Sequence, residues 1–206
     1  MKLSILTATY NRGNYLNRLF ESIVDNLIQE LHIEWLIMDD GSVDNTFEIV
    51  EQLKKKVYNN KQCYNLEIKY FKQNNQGKMK AINNLMDYVT GEMVIDCDSD
   101  DYFINNAFKQ IFEKKDVLLN DNSLYALVFL KNENSNKLSG NLFDRENERT
   151  TMFDMYFKHG IVGEKILVFN TEIRKQFKHE IENSEKFITE ARLYHKMDDN
   201  FRSKVL

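Results

Sequence analysis

The chain has 206 residues, 42% of them hydrophobic and 12% aromatic, which suffices for a sizeable core in one domain. Its formal net charge of −4 offers no basic footprint of the kind a nucleic-acid binder carries, so no nucleic-acid partner is expected. No apolar run approaches the ~20 residues that cross a bilayer, and Met1 to Leu6 is too short for a signal peptide.

In chain order, Leu3 to Ala8 is a short apolar run that predicts a buried strand. Leu16, Leu19, Phe20, Ile23, Val24, Leu27 and Ile28 then recur at helical spacing. Ile33 to Met38 predicts a second strand, and Asp44 is placed to cap a helix whose inner stripe is Phe47, Val50, Leu53 and Val57. Leu66 to Phe71 alternates as a third strand. After Gly77 a helix carries Ala81, Ile82, Leu85, Met86 and Val89, and Thr90-Gly91-Glu92 ends it. Met93 to Cys97 predicts strand four, Ile104 to Phe112 a helix and Leu124 to Leu130 strand five. Strand–helix alternation of this kind predicts an α/β fold, a mostly parallel sheet with helices on both faces and right-handed crossovers. Beyond Leu130 the rhythm weakens. Lys131 to Asn136 and Asp144 to Thr150 read as loops, Met152 to Phe157 as a short helix and Lys165 to Phe169 as a strand. Helices are expected near Thr171 to Phe177 and Glu185 to Met197. There are no prolines, so turns rely on Gly, Asn and Asp. Cys63 and Cys97 fit no CxxC metal motif and read as ordinary thiols of a reducing compartment, Cys97 buried.

The chemistry concentrates at two acidic strand ends. Asp98-Ser99-Asp100-Asp101 follows Met93-Val94-Ile95, and Asp39-Asp40-Gly41-Ser42 follows Trp35-Leu36-Ile37-Met38. Carboxylates released together repel one another unless a cation or a donor-rich ligand joins them, and the carboxyl edge of an open α/β sheet is where ligands bind. Asp96, Asp98 and Asp100 share a face by strand alternation, and carboxylate oxygens suit Mg²⁺ or Mn²⁺ completed by substrate phosphates. A calcium loop starting at Asp96 needs Gly at its sixth position and Glu at its twelfth, but Asp101 and Ala107 stand there. Helix capping explains one of these carboxylates, not four within six residues. For Asp40 two readings stand side by side: a tight turn in which Gly41 supplies positive φ and Asp40 or Ser42 bonds the backbone, and a carboxylate that accepts a hydrogen bond from a nucleobase.

Four segments in order then resemble the family 2 glycosyltransferases with a GT-A fold. They are Thr7-Ala8-Thr9-Tyr10-Asn11-Arg12, Met38-Asp39-Asp40-Gly41-Ser42 through Thr46, Asn75-Gln76-Gly77-Lys78 with Ala81 and Asn83, and Gly91-Glu92 leading to the D-x-D run at Asp98. Later, Gly163-Glu164-Lys165, Thr171-Glu172 and Glu185-Lys186-Phe187-Ile188-Thr189-Glu190-Ala191 resemble a bacterial branch whose members build capsule, lipopolysaccharide and other cell-surface glycans.

The resemblance implies one GT-A domain over 1–206, with a nucleotide-sugar half at 1–105 and an acceptor-side half at 106–206. It implies a nucleotide pocket of Thr9, Tyr10, Asn11, Arg12, Asp40, Lys78 and Asp98. Tyr10 would lie against the base, Asp40 would read it, usually as uracil, and Lys78 would approach the phosphates. Asp98 and Asp100 would hold Mn²⁺ or Mg²⁺, and Glu190 would be the catalytic base. His195 is the best placed of the late histidines for a third metal ligand, against the plainer reading of an exposed helix histidine. The implied reaction is inverting transfer from a UDP-sugar to a surface-glycan or lipid-linked saccharide, in the cytoplasm at the inner membrane face, with peripheral membrane contact. Ala8 stands where the family often has proline, and no Gln/Arg-x-x-Arg-Trp motif is present, which argues against a processive polymerase. Relatives often continue past the base helix, so the expectation is either a naturally short protein or a truncated one. A non-catalytic sugar-nucleotide-binding module of the same fold is the rival. A nucleotidyltransferase is a third option, though Asn11-Arg12-Gly13 is a poor version of its Gly-rich loop.

Overall fold

The computed structural model describes residues 1–134, 137–142, 148–181 and 188–206. The first half alternates as expected: β1 (Lys2–Thr9), α1 (Gly13–Asp25), β2 (His32–Asp39), α2 (Thr46–Asn59), β3 (Leu66–Lys72), α3 (Lys78–Leu85), β4 (Met93–Asp96), α4 (Ala107–Leu119) and β5 (Leu124–Leu130). The second half adds β6 (Asn132–Asn134), β7 (Lys137–Leu138), β8 (Arg149–Thr150), α5 (Met152–Phe157), β9 (Lys165–Asn170), α6 (Thr171–Arg174), α7 (Ala191–Asp198) and β10 (Arg202–Val205).

Among the described residues the main sheet runs β3-β2-β1-β4-β9-β5-β10-β8, and β6 pairs with β7 apart from it. β3, β2, β1 and β4 are mutually parallel. β9 is antiparallel to both β4 and β5, and so separates two strands that are neighbours in sequence. Strand alternation sends Ile33, Trp35 and Ile37 into the core under α1, α2 and α4, and Leu36 and Met38 into the core under α3, α5, α6 and α7.

Several boundaries differ from the sequence pattern, each for a local reason. α1 stops at Asp25, where Asn26 closes it with its amide donating to the Ser22 carbonyl; Leu27 and Ile28 pack on the core beyond the helix end. α4 starts at Ala107 instead of Ile104 because Asn106 is left-handed, φ 67°. α6 is a single turn, ended where the Arg174 guanidinium takes the Phe177 carbonyl. Asp44 precedes the N-cap residue Asn45; it accepts from the Thr46 N–H and, through its other oxygen, from the Gly13 N–H, tying the starts of α1 and α2 together. β6, β7, β8 and β10 lie where no strand was expected. Of the expected helix at Glu185 to Met197 only the part from Ala191 is helical, as α7; Ile188 to Glu190 precede it without helical structure, and 182–187, like 135–136 and 144–147 of the expected loops, lie outside the described residues.

Two glycines make one junction between loops of the second half. Gly140 and Gly163 have φ of +85° and +84°, and a Cβ on either would meet the opposite main chain, at 1.9 Å from the Val162 oxygen or 2.2 Å from the Ser139 oxygen.

The most demanding feature of the sheet is Glu34, a carboxylate inside β2 with no exposure. It accepts from the Ser4 hydroxyl at 2.5 Å, the Thr90 N–H at 2.6 Å, the Thr90 hydroxyl at 2.7 Å and the Gly91 N–H at 3.1 Å. Lys69 adds a contact at 3.4 Å. Burial pushes its pKa up, but the Ser4 and Thr90 hydrogen bonds and Lys69 outweigh burial and hold it below the usual glutamate value. Glu34→Ala strands these buried donors, each costing about 1–3 kcal/mol. Urea unfolding of this variant is expected to show a loss of at least about 3 kcal/mol; a loss below about 1 kcal/mol would show that water replaces the carboxylate.

Candidate active site

Because β1, β2 and β4 are parallel and in register, with Thr9 opposite Asp39 and Leu6 opposite Asp96, their carboxyl ends emerge at one edge. The chain continues the ladder there: Asp40 N–H donates to the Thr9 carbonyl and Cys97 N–H to the Leu6 carbonyl.

At the end of β1, Thr9 is buried and its hydroxyl has no partner among the described residues. Tyr10 is half-exposed. Asn11, left-handed at φ 52°, donates its N–H to the Ser42 hydroxyl and accepts from the Val43 N–H, locking the β1 loop to the β2 loop. Asp39 makes the tight turn, accepting from the Ser42 N–H at 2.6 Å, with Gly41 at φ +88°. Asp40 faces the segment before α3: it accepts from the Gln73 side chain, the Gln76 N–H and the Gly77 N–H, each at 2.8 Å. This carboxylate therefore fixes where α3 begins, and Lys78 is the first residue of α3.

Each carboxylate of the acidic run has its own cation. Arg12 binds Asp100 at 2.8 Å, and Arg18 donates to the Asp100 carbonyl. Lys78 lies 2.7 Å from Asp98 and 2.9 Å from Glu190. Lys131 lies 2.9 Å from Asp101 and 2.6 Å from Glu164. Burial disfavours the Lys78 ammonium, but Asp98 and Glu190 outweigh it and raise its pKa above that of an ordinary lysine. Asp96, at the end of β4, is shifted up chiefly by burial, opposed by Arg174 at 3.9 Å and by Lys78.

Lys78, Asp96, Asp98, Asp101, Lys131 and Glu190 line one cavity of about 340 Å³. A larger cavity of about 570 Å³ shares Asp96, Asp101 and Lys131, and is lined both by apolar Ile95, Phe103 and Phe129 and by charged Arg18, Asp100, Glu113 and Lys114. The smaller one holds the Lys78, Asp98 and Glu190 group and is the candidate site, with Asp100 lining the larger cavity beside it. Thus the structure brings Lys78, Asp98 and Glu190 together, sets Arg12 and Asp100 beside them, and places Asp40 behind Lys78. His195 is elsewhere: its ring packs at 5.9 Å on Phe153, and it does not line this cavity.

Among the described residues no three His, Cys, Asp or Glu side chains form a ready metal cluster. Asp98 and Asp100 still offer an all-oxygen donor pair, both nearly half-exposed, which fits Mg²⁺ or Mn²⁺ chemistry completed by phosphates. Lys131 belongs to the site although the motifs do not contain it. Its signal is positional: it ends the apolar run Leu124–Leu130, just as the acidic run ends β4.

A doubly covered, mostly parallel sheet with this acidic carboxyl edge is the GT-A architecture. The model of glycosyl transferase family 2 matches residues 4–177, and the chain belongs to that family. It is 36% identical over 116 residues to the uncharacterized glycosyltransferase MG060 of Mycoplasma genitalium, covering 55% of this chain and 37% of that protein. It is 31% identical over 109 residues to the poly(ribitol-phosphate) β-N-acetylglucosaminyltransferase TarS of Staphylococcus aureus, covering 53% of this chain and 18% of TarS. The crystal structure of TarS 1–349 superposes with a TM-score of 0.69 at 25% identity, over 100% of this chain and 58% of that one. The mannosyltransferase PcManGT of Pyrobaculum calidifontis, solved with GDP-Man and Mn²⁺, shares the fold at a TM-score of 0.64 and 14% identity, over 99% of this chain and 56% of that one. The chain spans well under half the length of these two curated relatives.

Behind the cavity, His179 joins α3 to the segment after α6. Its N–H donates to the Asn83 side chain at 2.9 Å, its carbonyl accepts from the same amide at 2.8 Å, and its ring lies 3.3 Å from Arg174. Burial, then Arg174 and Lys78, depress its pKa to about 4, with Glu190 opposing. The unfolded histidine binds a proton near pH 6.5 and the folded one does not, so stability falls as pH drops from about 6.5 toward 4. A shift of this size is worth on the order of 3 kcal/mol. Unfolding free energies at pH 7 and pH 4.5 should therefore differ less in His179→Gln than in the parent; equal differences would refute the buried neutral histidine.

Proposed function

We propose that this chain transfers a sugar, with inversion, from a nucleotide-sugar donor to a saccharide hydroxyl. The observation that carries the reading is the single ammonium of Lys78 placed between Asp98 and Glu190, 112 positions apart in the case of Glu190, inside one cavity. A glycosyl transfer needs a cationic environment for a departing diphosphate and, separately, a carboxylate for the acceptor proton. Both are present within one lysine's reach.

In this reading Thr9, Tyr10, Asn11, Arg12 and Asp40 form the nucleoside side of the pocket. The orphaned Thr9 hydroxyl supplies an unused hydrogen-bonding group there, and half-exposed Tyr10 an aromatic face. Asp98 and Asp100 would hold Mg²⁺ or Mn²⁺, whose chemistry is to neutralise charge on the leaving diphosphate. Lys78 and Arg12 supply further positive charge at the same edge. Glu190, the residue before α7, accepts the proton of the attacking hydroxyl at its carboxylate oxygen. The Lys131–Glu164 pair closes the acceptor side. A UDP-sugar is the donor we favour, since the related TarS fold has been solved with UDP-GlcNAc. The acceptor class we favour is a surface glycan or lipid-linked saccharide met at the cytoplasmic membrane face; no described helix is long and apolar enough to cross a membrane. We assign 1–105 to donor binding and 106–206 to the acceptor side of one domain.

Glu190→Gln tests the assignment. It is expected to lower transfer about 100- to 10,000-fold, the usual contribution of a general base, while UDP still binds by calorimetry. Transfer at parental rate would move the base elsewhere. UDP binding by the parent with no transfer to any saccharide acceptor would favour a non-catalytic module.

A further inference from the structure

Lys78 has one ammonium to divide between its two carboxylate partners and an arriving diphosphate. Its ammonium carries three N–H donors. In the structure it is 2.7 Å from Asp98 and 2.9 Å from Glu190, and all three side chains are about two-fifths exposed to the cavity. Its backbone cannot move far, because the Gln76 and Gly77 N–H groups just before it are both held by Asp40 at 2.8 Å. The side chain, on a flexible four-carbon stem, is the part free to change partners. Glu190 is equally anchored: the N–H groups of Leu193 and Tyr194 donate to its carbonyl as the first bonds of α7. The two ends of the Lys78–Glu190 pair are thus fixed by separate elements, and the contact between them is made by side chains alone.

We infer that Lys78 is a partner-exchanging lysine: without donor it occupies Glu190, and an arriving diphosphate draws it away and leaves Glu190 open to the acceptor hydroxyl. This deepens the reading above and rests on it. No bond is made or broken in the exchange; one ion pair is replaced by another. The diphosphate carries more charge than a single carboxylate and offers several acceptor oxygens, so it outcompetes Glu190 for the same ammonium. The arrangement orders the reaction. A saccharide hydroxyl entering before the donor meets a carboxylate already engaged, and the base becomes available at the moment a leaving group is in place.

The consequence is a competition measurable by binding alone. Glu190 and the diphosphate contend for Lys78, so removing the charge of Glu190 should tighten diphosphate binding. A partly exposed ion pair is worth up to about 1 kcal/mol, which corresponds to a gain of roughly 2- to 5-fold in affinity. UDP with Mn²⁺ would be titrated calorimetrically into the parent, Glu190→Gln, Lys78→Met and the double variant, each checked for cooperative thermal unfolding. Lys78→Arg would replace Lys78→Met if the latter fails to fold, and should retain part of the effect. The expected pattern is tighter binding in Glu190→Gln, weaker binding in Lys78→Met, and no gain from Glu190→Gln once Lys78 is Met. An equal gain in both backgrounds would mean that Glu190 merely repels the diphosphate, and would overturn the exchange. So would no gain in either, with the glycosyltransferase reading left standing. If the parent binds none of UDP, GDP, CDP or dTDP, the donor-site reading itself falls, and the exchange with it.

Discussion

The sheet depends on a charge placed where strands usually carry a hydrocarbon. Glu34 is sealed inside β2; its Oε1 accepts from the Ser4 hydroxyl of β1 and from the N–H groups of Thr90 and Gly91 in the turn that leads into β4, and its Oε2 accepts from the Thr90 hydroxyl and Lys69. One carboxylate therefore joins three consecutive positions of the sheet near the amino ends of the strands. A buried ionised group tolerates few alternatives, because a slipped register would leave it without donors. The functional edge lies at the opposite end of the same strands. Since β1, β2 and β4 are held side by side at one end, their other ends deliver Thr9, Asp40 and Asp98 to common ground. The stabilising charge and the chemical charges are thus separated by the length of a strand.

At the functional edge the electrostatics follow a different rule. Glu34 is satisfied mostly by neutral hydroxyls and backbone N–H groups, whereas Asp98, Asp100, Asp101 and Glu190 are satisfied by lysine and arginine side chains that are themselves partly exposed. Contacts of the first kind are rigid and buried; those of the second kind exchange readily with ligands and are screened by salt. An acidic cluster built this way has its charge balanced by side chains of the same chain, with Asp98, Asp100 and Glu190 each about two-fifths exposed. Behind it, Arg174 lies fully buried over the ring of Phe169, which lines the cavity, at 5.6 Å, and 3.3 Å from the His179 ring.

Most of the first half was legible from periodicity, because each strand and helix from Leu3 to Leu130 buries its own contiguous stripe. What escaped was decided by partners far away in sequence. β8 and β10 are short and mixed in composition, and become strands only by pairing with each other and with β5. The placement of β9 between β4 and β5 has no local signature either. At the site, the acidic strand ends and the helix-start lysine were visible as residues, but their grouping was not: nothing near Lys78 in sequence announces Glu190. For Asp40 the sequence left a turn and a base contact open, and the structure shows the carboxylate gripping the Gln76 and Gly77 N–H groups, a third use that ties the β2 end to α3. Glu34 went unread because a lone glutamate in a strand ordinarily marks a solvent face.

The crossing of Gly140 and Gly163 has a bearing on how such a scaffold diversifies. The two loops touch through peptide groups at the two glycines and through two side chains: the Asn141 amide accepts from the Val162 N–H and donates to the Gly160 carbonyl, and the Ser139 hydroxyl accepts from the Glu164 N–H. Ser139 and Asn141 hold the path of the chain into Glu164 and Lys165, whereas the exposed side chain of Val162 can be exchanged while that path stays the same. This rim of the second half is therefore only partly modular: exposed positions such as Leu142 and Val162 can have their surface chemistry rewritten one side chain at a time, while the two glycines, Ser139 and Asn141 keep the frame that presents them.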